Sequence, residues 1–152
     1  MDSAKISLKE EGMATARIVW NRGLQFVGSS GSNHAVVVDT SPDVGGFSAG
    51  PSPVELVLIA VGGCSAMDVV SILKKKRVDF DDFEIEVVAE KAPQHPKYLQ
   101  TIRLIYKIWG QNISEEAFKQ AIELSLDKYC TVANTLKGRA EISYEYRINP
   151  AA

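Results

Sequence analysis

The stretch that decides the fold is Ser52-Pro53-Val54-Glu55-Leu56-Val57-Leu58-Ile59-Ala60-Val61-Gly62-Gly63-Cys64-Ser65-Ala66-Met67-Asp68-Val69-Val70-Ser71-Ile72-Leu73-Lys74-Lys75-Lys76-Arg77. Ser52 is a good helix N-cap, Pro53 suits the first helical position, and Glu55 stands three residues after the cap. Together they form a capping box with a proline placed where its missing N–H costs nothing. The pattern predicts a helix over 53–76 that ends in four cations, which favour a C-terminus. Its middle is apolar on nearly every side, so it should be buried on every side. In a chain of 152 residues, that implies a partner subunit helping to cover it. Each of Gly62 and Gly63 costs the helix about 1 kcal/mol relative to alanine. A close backbone approach beside Cys64 would account for tolerating them.

Upstream of this helix the sequence reads as strands. Residues 15–20 set Ala16, Ile18 and Trp20 against Thr15, Arg17 and Val19. A turn at Asn21-Arg22-Gly23 leads into a strand at 24–27, which is a hairpin signal. Residues 28–33 read as a second turn, 34–39 as a third strand, and 40–52 as a Gly/Pro/Ser loop. Downstream, 83–90 and 98–109 read as two strands joined through 92–96, the second with Ile102, Leu104, Tyr106 and Ile108 in alternation. Ser114 caps a second helix with Glu115 and Glu116 in its first turn. Ile122, Leu126, Cys130 and Ala133 share one face of that helix, and Gly138 terminates it. A last strand, 140–148, carries Ile142, Tyr144, Tyr146 and Ile148 on one side. This order of elements predicts an α+β fold in a single domain over 1–152.

The totals exclude several function classes. A net charge of -2 gives no bulk attraction to nucleic acid or acidic membranes. The N-terminal Met1-Asp2-Ser3-Ala4-Lys5 lacks a basic region followed by an apolar run, so no signal peptide is expected. The apolar run 57–67, bounded by Glu55 and Asp68, falls short of the roughly 20 residues a bilayer span needs. A cytoplasmic protein is the expectation, and there a bridge between the only two cysteines, Cys64 and Cys130, would be transient.

Two lone cysteines on two predicted helices can form one redox couple, in which one thiolate attacks and the other thiol resolves. The bland alternative for each is an inert core thiol, because both neighbourhoods are apolar. Cys64, Cys130, His34 and His95 have neither CxxC nor HxxxH spacing, so no metal is expected. His95-Pro96 reads as a turn feature. The glycines at 28–31 and 45–46 match no dinucleotide or P-loop pattern, so no nucleotide cofactor is expected.

Five segments stand in the order found in one family: Gly50-Pro51-Ser52-Pro53-Val54-Glu55-Leu56, Gly62-Gly63-Cys64-Ser65-Ala66-Met67-Asp68-Val69-Val70, Lys75-Lys76-Arg77, His95-Pro96 and Leu124-Ser125-Leu126-Asp127-Lys128-Tyr129-Cys130. From Ala14 to Arg147 the chain resembles the OsmC/Ohr family, most nearly its YhfA-like branch. The resemblance implies an OsmC-like fold, with antiparallel sheets around a long central cysteine-bearing helix. It also implies an intertwined homodimer with the active site at the subunit interface. The activity implied is thiol-dependent reduction of hydroperoxides, organic ones especially.

On that resemblance Cys64 matches the peroxidatic cysteine and Cys130 the resolving one. A free thiol with a pKa of about 8.5 is mostly protonated at neutral pH, so a cation should stand near Cys64. The peroxide-reducing branches use an N-terminal arginine, for which Arg22 is the best-placed match and Arg17 the second. Their helix-starting proline is followed directly by a glutamate that orients the arginine. Here that position is Val54, and Glu55 is one step, about 100°, further round. Its capping role already accounts for Glu55. Asp68 shares a helical face with Cys64, and a carboxylate there would raise a thiol pKa unless paired with a cation such as Lys128 or one of 74–77. Otherwise it would face water or make a structural ion pair.

Two readings follow. One is a hydroperoxide reductase that needs no metal, flavin or haem, and is recycled by an unidentified dithiol reductant. The other, favoured by Val54, is a dimeric binding protein for a small apolar ligand with little peroxide chemistry. Reactivity toward another electrophile or a sulfur species would share the same cysteine.

Overall fold

The computed structural model describes residues 14–151, so the N-terminal pentapeptide and the first and last parts of the expected 1–152 domain lie outside the described residues. The chain divides into two compact units, one through Leu56 and one from Val57 onward, each treated by itself below.

The N-terminal unit is built on an antiparallel sheet of β1 (Ala16–Arg22), β2 (Gln25–Ser30) and β3 (Ala35–Val38) in that order. The predicted hairpin is present, with longer strands. β1 runs through Arg22, so that residue ends a strand rather than sitting in the turn. The turn is held by Trp20 Nε1 donating to Gly23 O at 2.9 Å. Gly23 has a φ of +52, and a Cβ there would meet Gly45 O at 2.7 Å. Gly28 lies within β2, paired with Ile18 and Val36, where the sequence suggested a turn. The loop that follows is organised by the buried Asp39. Its carboxylate accepts from the backbone N–H groups of Thr40, Phe47 and Ala49 and from Gln25 Nε2, at 2.8 to 3.1 Å.

The helix α1 (Pro53–Lys75) crosses from one unit into the other. The capping box forms as predicted: Ser52 N donates to Glu55 Oε2 at 2.7 Å, and Glu55 N donates to Ser52 Oγ at 3.4 Å. At the far end, Arg77 takes a φ of +57, and Val78 N donates back to Leu73 O at 3.0 Å, which closes the last turn. With 23 residues and a mean hydropathy of 2.2, α1 is long and apolar enough to cross a membrane by length and composition. It packs instead as a core helix, with Val61, Val69 and Leu73 fully buried. The expectation of burial on every side fails within this chain, because Ile59 is 62% and Met67 77% exposed.

The C-terminal unit contains β4 (Asp82–Lys91), β5 (Leu99–Trp109), α2 (Glu115–Leu124), α3 (Thr131–Leu136) and β6 (Glu141–Ile148). Its sheet has the order β4-β5-β6. β4 and β5 are antiparallel, and β6 joins β5 in parallel, from Thr101↔Glu141 to Ile108↔Ile148. A parallel pair needs a long crossover, and the helical segment between β5 and β6 supplies it. Ile102, Leu104, Tyr106 and Ile108 of β5 are buried with α1 and with Phe118, Ala121 and Ile122 of α2. Ile142, Tyr144, Tyr146 and Ile148 share one face of β6 and pack on that core, as their alternation predicts.

The second helix is not continuous. After α2, residues Ser125–Tyr129 form a π-helical turn, and Cys130 is extended, with φ -68 and ψ 99. Cys130 N donates to Ser125 O, five residues back, at 2.8 Å. That leaves Leu126 O without its usual helical partner. Asn134 Nδ2 at 3.3 Å and Lys137 Nζ at 2.6 Å donate to it instead. Cys130 therefore stands at the N-cap of α3, with its Sγ accepting from Ala133 N at 3.3 Å, and not on a helical face with Ile122 and Leu126.

Candidate active site

The break at Cys130 brings its thiol to α1. Cys64 is half-buried and Cys130 fully buried, and both are free thiols. The two sulfurs and an Asp68 carboxylate oxygen all lie within 4.8 Å of one another. Burial pushes the Cys130 thiol up to about 11, and the neighbouring Cys64 and the Asp68 charge add to this against the Ala133 N–H. Cys130 is thus held protonated beside the half-buried Cys64.

Asp68 does not pair with a cation among the described residues. Its carboxylate accepts from Ser125 Oγ at 3.1 Å. Lys128, one of the expected partners, lies over the Tyr129 ring, and Lys76 donates to Gln120. Behind Asp68 runs a buried chain: Ser125 Oγ is 2.8 Å from Ser65 Oγ, which is 2.6 Å from Tyr106 Oη. Each hydroxyl has one proton to give. With Asp68 as a carboxylate, an acceptor only, Ser125 must donate to it. Ser65 then donates to Ser125, and Tyr106 to Ser65. Burial, outweighing the Ser65 contact, holds the Tyr106 hydroxyl protonated far above its ordinary range, which suits it to head the chain. The alternating pattern of β5 foretold Tyr106 as a core residue but not as a polar one. Ser65 and Ser125 lie inside the quoted segments, but nothing in their spacing marks them as partners of each other or of Tyr106.

The other expected residues fall elsewhere. Arg22 belongs to the N-terminal unit, where its guanidinium lies 4.3 Å from the centre of the Phe47 ring. Arg17 pairs with Ser29 in the β1–β2 ladder. Val54 follows the proline at the start of α1, and Glu55 is engaged in the capping box. His34 Nδ1 lies 3.1 Å from Ser32 Oγ. His95 precedes Pro96 in the connection between β4 and β5, as its turn reading predicts. No histidine joins the two thiols: among the described residues, the one convergent group of His, Cys, Asp and Glu side chains is Cys64, Asp68 and Cys130. That is one protein donor short of a closed tetrahedral zinc site.

Beside this cluster, the next face of α1 opens on an apolar groove. Its volume is about 490 Å³, and Leu58, Ile59, Ala66, Phe83, Ile85 and Val87 are among its walls. Gly62 also lines it. A Cβ on Gly62 would come within 2.9 Å of Val87 Cγ2, so the close approach there is to a side chain of β4 and not to its backbone. Among the described residues, nothing lies within 4 Å of a Cβ built on Gly63.

Residues 45–145, which include the whole of α1 and both thiols, match the family model described as OsmC-like protein. The chain belongs to the OsmC-like family. Among curated proteins it is 38% identical to protein YhfA of Escherichia coli (strain K12) over 133 residues, covering 88% of this chain and 96% of YhfA. Among solved structures it resembles a hypothetical protein from Aquifex aeolicus VF5, with 28% identity, a TM-score of 0.74, and coverage of 91% and 98% of the two chains. An organic hydroperoxide resistance protein from Elizabethkingia anophelis shares the fold at a TM-score of 0.70 and 16% identity, over 93% of this chain and 99% of that one. The OsmC-like fold, α+β with a long helix, is thus common to proteins of quite different sequence.

Proposed function

We propose that this OsmC-like chain is a cysteine-based reductase of organic hydroperoxides, working in the cytoplasm as a homodimer with its site at the subunit interface. The observation that carries the reading is the meeting of Cys64 and Cys130, far apart in sequence, with their sulfurs within 4.8 Å, one thiol half-exposed and the other buried. In the cycle, the Cys64 thiolate attacks the O–O bond of the hydroperoxide. The S–O bond forms, the alcohol leaves with a proton, and Cys64 becomes a sulfenic acid. Cys130 then attacks Cys64 Sγ, water leaves, and an external dithiol reduces the resulting disulfide. Arg22 is the proposed thiolate stabiliser. The homodimer is supported by large apolar side chains left exposed within one chain, Ile18, Trp20 and Met67 among them.

The test is one equivalent of cumene hydroperoxide added to the fully reduced protein, with free thiols and intact mass followed over seconds. Fast loss of both thiols with a mass decrease of two hydrogens, abolished in Cys64→Ser, supports the cycle. Two thiols still free after minutes would sink it.

A second reading, a binding protein for a small apolar ligand, is favoured by the open groove along α1 and β4 and by Val54 in place of the glutamate. Co-purification of an acyl or other small apolar molecule would support it.

A further inference from the structure

We infer that Asp68 is the proton relay of the resolving step, taking the proton from Cys130 as its sulfur attacks Cys64 and handing it to the departing hydroxide. This rests on the two-cysteine reading proposed above. Asp68 stands one helical turn after Cys64, and its carboxylate lies within 4.8 Å of both sulfurs, a separation one bridging water spans. No cation neutralises it among the described ion pairs, so it keeps its capacity to accept. Ser125 holds it from behind, and Ser65 and Tyr106 hold Ser125.

The step balances. The S–S bond forms as the Cys130 S–H bond and the Cys64 S–O bond break. Cys130 is oxidised from thiol to disulfide, and Cys64 is reduced from sulfenic acid to disulfide. The proton and the hydroxide leave together as water. A fully buried thiol does not deprotonate readily, which is why the step needs a base. The titratable groups beside Cys130 are Cys64 and Asp68 from α1, and Tyr106 from β5 heads the hydroxyl chain behind Asp68. Of these, Asp68 is the base whose use does not consume the nucleophile or the chain that holds it.

The experiment needs no peroxide, so it is read separately from the peroxidase test. Reduced protein mixed with DTNB should release thionitrobenzoate twice, first as Cys64 forms a mixed disulfide, then as Cys130 displaces the second molecule. In Asp68→Asn the second phase, measured against the first, should slow by about tenfold or more at neutral pH and rise with hydroxide concentration, while Asp68→Glu recovers part of the rate. If Asp68 is only a neighbouring negative charge, its removal lowers the Cys130 pKa and speeds the second phase; an equal or faster second phase with the wild-type pH profile overturns the proposal. If Asp68→Asn does not fold, the wild-type second phase is compared in H₂O and D₂O. A slower phase in D₂O supports proton transfer in that step, and equal rates overturn it.

Discussion

Tyr106 Oη and Ser65 Oγ are 2.6 Å apart, and neither side chain is exposed to solvent. Donor accounting makes the tyrosine the giver, so Tyr106→Phe removes a donor and leaves a buried serine oxygen with nothing donating to it. The expected cost is about 1–3 kcal/mol, the penalty of an unsatisfied buried group. Urea unfolding checks this, and an unchanged midpoint with an unchanged slope would show that Ser65 finds another partner.

Alkaline stability should be set by the resolving thiol. Burial, with the neighbouring Cys64, raises Cys130 from 9.0 to about 11, so between those values the unfolded chain has lost a proton that the folded one keeps. Stability therefore falls as pH rises through that window. Tyr144, raised from 10.0 to about 12 by burial and by its bond to Glu123, extends the fall. The denaturation midpoint is expected to hold level up to about pH 8.5 and then decline. In Cys130→Ala the decline should begin about one pH unit later, where tyrosines start to ionise. Coincident curves would refute the assignment.

At the acid end the governing group is Asp39. Burial alone would raise its pKa, but the N–H groups of Thr40, Ala49 and Phe47 together with Gln25 hold it at about 2, against 3.8 when exposed. Its contribution is complete above the unfolded value and is lost as pH falls from about 4 toward 2. Asp39→Ala should abolish that dependence and expose residues 40–51 to protease at neutral pH. Limited proteolysis with mass mapping reads the outcome, and cleavage no faster than wild type would dismiss the carboxylate as the loop's organiser.

What was legible in advance follows from the range of each interaction. The capping box of α1 lies within four residues, and the alternation on β6 needs only a sheet with one face covered, so both could be read directly. Cys130 was misplaced on a helical face because Ile122, Leu126 and Cys130 have helical spacing. The π-helical turn that breaks it is held by Asn134 and Lys137 capturing Leu126 O, a choice no local pattern announces. Alternation says which face of a strand is buried but not its direction, so the parallel pairing of β5 and β6 was not foreseen. Ser65, Tyr106 and Ser125 join across separations of 41 and 60 residues. The spacing of Asp68 placed it beside Cys64, yet only the fold shows that a serine holds it in place of a lysine.

The adjacent glycines of α1 should respond in opposite directions to the same change. Alanine is favoured over glycine in a helix by about 1 kcal/mol, and that gain applies equally to both. At Gly63 nothing among the described residues opposes it, so Gly63→Ala should stabilise the monomeric protein by about that amount. At Gly62 the new methyl meets Val87 Cγ2 at 2.9 Å, and either the valine or the helix must move. Overpacking of this kind costs about 1–3 kcal/mol, so Gly62→Ala should come out neutral to destabilising by roughly 2 kcal/mol. Paired measurements at low protein concentration decide it, since a shared sign would remove the α1–β4 approach as the reason for Gly62. Repeating Gly63→Ala at high concentration extends the test to the proposed homodimer. If a second copy covers that face of α1, the stabilisation should shrink or reverse as the dimer forms.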